Sequence, residues 1–198
     1  MKKIILITVA VLAGVSLAGL SQAAGTIVGS KHDLKAISGG EICIVCHTPH
    51  NADITTTDAP LWNHTLTTAS YTLYASPTLN ATATIAQPTG VSKLCLSCHD
   101  GTVAPDAFTG HAGTTTIAAA GNLSTNLKKS HPVSFTYSDA MATADGELAA
   151  PSSLPPGWVN GDKFECSSCH DVHNKTGFPA MLLKDNTASA LCLTCHTK

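Results

Sequence analysis

Residues 43–50 read Cys43-Ile44-Val45-Cys46-His47-Thr48-Pro49-His50. Two thiols three positions apart, with an imidazole directly behind them, form a frame that occurs three more times: Cys95-x-x-Cys98-His99, Cys166-x-x-Cys169-His170 and Cys192-x-x-Cys195-His196. Together the four frames use all eight cysteines of the 198 residues. Cys-x-x-Cys-His is the attachment signal for a c-type haem. The spacing has a chemical reason. Thiols about one helical turn apart both reach the vinyl groups on one porphyrin edge, and the next side chain swings under the ring to give its imidazole to the iron. Structural zinc, disulfides and dithiol redox centres also use paired cysteines, but none of them requires a histidine after each pair. Histidine fills 10 of 198 positions, so finding it at all four by chance is on the order of 10⁻⁵. The expectation is four covalently attached haem c groups, with proximal ligands His47, His99, His170 and His196.

The first residues read as a secretory signal peptide, 1–23. Met1-Lys2-Lys3 is a positive start, Ile4 to Leu20 is an uncharged and largely apolar run, and Ser21-Gln22-Ala23 is a small-x-small cleavage signal. The run is short for a membrane span, no charged stop follows it, and no cysteine stands behind the cut for lipid attachment. A secreted protein with no membrane anchor is expected, extracellular or at the cell surface after passage through the periplasm. Without Lys2 and Lys3, nine lysines face thirteen acids, a formal net charge of −4, and there is no arginine. A nucleic-acid binder would carry a basic face, so no nucleic-acid partner is expected.

Only four Phe, three Tyr and two Trp are available for an interior. A chain rich in Thr, Ala, Ser, Gly and Pro struggles to build a core from side chains alone. Roughly 175 mature residues make a globule with a radius of gyration near ~16 Å, in which four flat macrocycles must be neighbours. The fold class expected is therefore a multihaem cytochrome c. It would be mostly irregular coil with short helices wrapped around four haems, little β structure and no conventional side-chain core. Short helices belong at the attachment turns and over about Ser138 to Leu148. Thr114-Thr-Thr-Ile-Ala reads as a short strand, and Pro151-Ser-Ser-Leu-Pro-Pro-Gly as a stiff surface turn.

Six histidines remain for the far side of the irons: His32, His50, His64, His111, His131 and His173. Only Met141 and Met181 compete after cleavage, so His/His ligation is expected throughout, at lower potential than His/Met. His50 lies three residues after His47 and His173 three after His170. Residues at i and i+3 project from the same side of a turn, whereas axial ligands lie on opposite porphyrin faces, so each serves another iron or none. The repetition points to an internal duplication. A single tetrahaem domain, 24–198, is expected to contain two dihaem repeats, about 32–99 and 131–196, with His32, His50, His131 and His173 as the distal set. His64, in Pro-Leu-Trp-Asn-His, is the reserve ligand. His111 reads as a loop residue, and Trp62 and Trp158 as packing anchors.

The order of motifs KHDL, CxxCHTPHNA, APLWNH, CLSCHDG, SHPV, CSSCHDVHN and LCLTCH resembles, over nearly the whole mature chain, the outer-surface tetrahaem cytochromes of metal-reducing bacteria, the subunits of extracellular cytochrome filaments. That resemblance implies a continuous stack of His/His-ligated haems. It also implies a head-to-tail homopolymer, because a related hexahaem filament protein sends the histidine at the position of His50 to a haem of the next subunit. Other multihaem cytochromes would be the donors, and extracellular metal oxides or electrodes the acceptors. The preferred reading is extracellular electron transfer by a conductive filament that is not an enzyme. A monomeric periplasmic or cell-surface electron shuttle is the alternative. A reductase for a small oxyanion is third, since it needs an iron with an open face and all four frames are regular.

Overall fold

A computed structural model of the chain describes residues 26–80 and 85–197; the expected signal peptide, 1–23, lies outside them. The longest regular element is the ten-residue helix α1, Gly90–His99. It is followed by α2, Asp139–Asp145, and α3, Cys192–Cys195. Two-residue strands β1, Phe135–Thr136, and β2, Lys163–Phe164, pair antiparallel with Phe135 opposite Phe164. The remainder is turns, single-turn 3-10 helices and irregular chain. Among the described residues no helix is long and apolar enough to cross a membrane.

Local chemistry explains the short elements. Each Cys-x-x-Cys-His frame is one helical turn. His47 N donates to Cys43 O at 2.9 Å, His170 N to Cys166 O at 3.1 Å and His196 N to Cys192 O at 2.9 Å. The second frame lies inside α1. Helix α2 starts where the Ser138 side chain accepts from Met141 N and stops at Gly146, whose φ of +78° suits a residue without Cβ. The expected strand over Thr114–Ala118 is absent, because the Asp106 carboxylate takes the amides of Thr114 and Thr115 that a ladder would need. Pro151–Ser153 is a 3-10 turn within the expected stiff segment.

Buried side chains form two small clusters in place of one core. Phe135, Tyr137, Ala142 and Phe164 make one, against which Cys169 and Cys195 pack; Tyr71, Leu96 and Leu127 make the other. The two halves of the chain meet where α1 packs on the turn Cys166–Ser168. There the buried Glu165 carboxylate accepts from Ser92 N at 3.1 Å, from Ser134 Oγ at 3.0 Å and from Ser92 Oγ. Ser92 N belongs to the first turn of α1, so an acid from the second half caps a helix of the first.

One local arrangement occurs twice. In the first half Thr48 N donates to Leu61 O, Asn63 N to Cys46 O, and His47 bridges to Trp62. In the second, Asp171 N donates to Met181 O, Leu183 N to Cys169 O, and His170 bridges to Leu182. Leu61 and Met181 hold equivalent places, and both are left-handed, at φ 54° and 56°. Removing the Phe164 ring, which stacks on Phe135 at 5.5 Å, is expected to cost about 3 kcal/mol. Denaturant unfolding of the haem-loaded Phe164→Ala protein measures this.

Candidate haem-binding site

All eight cysteines are free, and no group of three or more His, Cys, Asp or Glu gathers around one point among the described residues. Each frame therefore offers two thiols and one imidazole. Burial pushes the thiols of Cys46 and Cys169 up to about 11 and that of Cys98 up to about 12. A zinc site or a reactive dithiol works through thiolate, which such surroundings disfavour. A thioether is neutral and tolerates burial, so these cysteines fit covalent haem better than metal.

Three of the four expected proximal imidazoles are oriented as an iron ligand would need. His47 Nδ1 donates to Pro60 O at 2.6 Å, His99 Nδ1 to Gly121 O at 2.7 Å and His170 Nδ1 to Ala180 O at 2.9 Å. An Nδ1–H bound to a carbonyl fixes the ring's tautomer and orientation and leaves Nε2 with its lone pair for a metal. On the opposite sides, His131 Nδ1 is turned to Pro132 O at 2.8 Å. Burial, and then the neighbouring His99 and His170, hold His32 below the ordinary histidine value, keeping it neutral and able to ligate.

Three ring pairs have a telling separation. His32 and His99 have centroids 5.8 Å apart, His47 and His173 6.2 Å, and His131 and His196 6.4 Å. Two metal–nitrogen bonds of about 2 Å, as in zinc–imidazole sites, plus a half-ring of about 1 Å at each end give roughly 6 Å. One iron fits between the rings of each pair. His173 lies against the frame of the other half, consistent with its exclusion from the iron of His170. Among the described residues no imidazole stands at this spacing from His170, and His50 is exposed on a turn pinned by Thr48 Oγ1, which donates to His50 O at 2.8 Å.

The reserve ligand His64 is buried and engaged otherwise. Its Nε2 lies 2.9 Å from Ala104 O and its Nδ1 2.8 Å from Thr65 O, beside Cys98 Sγ at 3.4 Å. His111 is an exposed loop residue. Trp62 and Trp158 are buried, and the Trp62 indole N–H has no protein acceptor. A haem, with its two propionates, brings acceptors of that kind.

Thiols of successive frames neighbour one another: Cys98 lies near Cys46, Cys95 near Cys166 and Cys169 near Cys195.

A family model described as a doubled CXXCH motif matches residues 158–198, which hold the third and fourth frames. The match supports a multihaem c-type cytochrome. No curated protein matches the chain. The doubled motif points to a haem-binding electron-transfer protein, and a bound haem would supply a one-electron couple between ferric and ferrous iron. The chain's own part would be to fix each ring by two thioethers and to present imidazoles to its iron. Sequence reasoning missed the carbonyls of Pro60, Gly121 and Ala180, because backbone acceptors carry no residue signature. The pairs at His99 and His196 are steeply inclined, 68° and 65°, whereas that at His47 is near parallel, 13°. These orientations impose different fields on ferric iron, so EPR of the oxidised protein should show two classes of low-spin signal. One uniform class would contradict the ring geometry.

Proposed function

We propose that the chain is a subunit of an OmcE-type extracellular filament: it carries four His/His-ligated haems and conducts electrons along a head-to-tail homopolymer. The observation behind this reading is the ligand left over. His32, His173 and His131 stand opposite His99, His47 and His196, which among the described residues leaves His50 without a facing partner and His170 without an imidazole at this spacing.

The two leftovers fit each other by repetition. Within the chain, the histidine three after the first frame of the second repeat, His173, serves the first frame of the first repeat, at His47. Shifted along by one repeat, the same relation sends His50 of a following protomer to the frame at His170 of the preceding one. Such a contact is heterologous and propagates into an open filament unless it closes into a ring. The bond that assembles the polymer would also carry charge across the junction, and adjoining attachment edges would carry it through each subunit. Transfer is outer-sphere, so no open iron or catalytic group is required. Other multihaem cytochromes would load the filament, and metal oxides or electrodes would drain it.

His50→Ala tests this. The expected result is secreted protein that stays monomeric by negative-stain microscopy, with one haem converted from low spin to high spin. Filaments of unchanged haem spacing with every iron six-coordinate would overturn the proposal. A wild-type protein that elutes as a fully low-spin monomer would favour the shuttle.

A further inference from the structure

Asp100 follows His99 directly and closes α1. Its side chain is only 4 % exposed. Four donors converge on it. Thr67 Oγ1 and Tyr71 OH each lie 2.6 Å from Oδ2, while Thr102 N and Thr102 Oγ1 lie 2.7 and 2.8 Å from Oδ1. Four donors on its two oxygens suit the ionised carboxylate rather than the neutral acid.

This charge stands where a helical protein should avoid one. The C-terminal end of a helix is the negative end of its dipole, and a carboxylate removed from water is costly without a positive partner. Among the described residues the ion pairs are Lys35 with Asp33 and His173 with Asp171, so no cationic side chain pairs with Asp100. The other frames differ. His47 and His196 are followed by Thr48 and Thr197. His170 is followed by Asp171, which is less buried and caps a surface loop by accepting from His173 N and Lys175 N.

We propose that Asp100 is the fixed counter-charge of the haem held by His99 and lowers that haem's reduction potential below the value it would have without the carboxylate. Ferric iron carries one more positive charge than ferrous, so a nearby fixed anion stabilises the oxidised state. Adjacent residues place the carboxylate on the order of 10 Å from an iron on His99, and the burial of Asp100 weakens the screening of their attraction. The positive partner that burial demands is thus the ferric centre itself. The inference needs a haem at His99 but no filament, so it survives or fails independently of polymerisation.

The test is a spectroelectrochemical titration of haem-loaded Asp100→Asn at constant pH. One of the four midpoints should rise while the other three stay in place. A fall, or no movement, overturns the proposal, because loosened packing that admits water stabilises ferric haem and moves its potential the other way. Tyr71→Phe removes a donor but keeps the charge, and its affected midpoint should stay or fall. A rise matching that of the Asn variant would assign the effect to the hydrogen bonds and sink the role of charge. If the Asn protein does not load four haems, Asp100→Ser carries the same test with the same signs.

Discussion

Two imidazole rings with centroids about 6 Å apart leave room for one metal atom between them. This spacing, found at His32/His99, His47/His173 and His131/His196, organises the rest of the chain. Each pair closes a long stretch of sequence, and such closure costs backbone entropy that grows only slowly with length. A chain with two clusters of four and three buried residues has little apolar burial to offset it. Ligand bonds and thioethers can, which explains how so much irregular backbone holds one path. The carbonyls of Pro60, Gly121 and Ala180 serve the same end, since an imidazole whose Nδ1 is bound presents Nε2 in a fixed direction.

Helix α1 shows how the surroundings of a haem are built from both halves of the chain. Its first turn is capped by Glu165 of the second half through Ser92 N, at the end where the dipole welcomes an anion; such a cap is worth about 1 kcal/mol. Its last turn carries Asp100, at the end where the dipole opposes one. The first acid explains itself by local electrostatics. The second needs four donors to exist, and that asymmetry is why a structural role accounts for Glu165 and not fully for Asp100.

The attachment frames were legible because covalent chemistry fixes residue type and spacing together. Helix α2 was legible because Ser138 and Gly146 are start and stop signals of known mechanism. The expected strand at Thr114–Ala118 failed for a specific reason: β-branched composition cannot show that a distant carboxylate, Asp106, will take the amides. Histidine could be read as the candidate for the far side of each iron, but which ring each would face could not. The i, i+3 argument excluded His173 from the iron of His170 without saying where it went. His64 could not be separated from the other candidates by sequence either, since its engagement by Ala104 O and Thr65 O depends on backbone groups far apart in the chain.

The two halves share more than their motifs. From Cys46 to Asn63 and from Cys169 to Leu183 the same hydrogen bonds close a loop behind the first frame of each half, and that loop is three residues longer in the first. The turns that project His50 and His173 are thus built alike, yet only His173 meets an imidazole within the chain. Identical local geometry with different occupancy is what a repeat running in one direction produces at its end. Every unit has a predecessor to serve except the first, and every unit is served by a successor except the last. A closed internal symmetry would have satisfied both histidines at once. The exposed His50 and the frame at His170 are the two places where this relation stays open among the described residues.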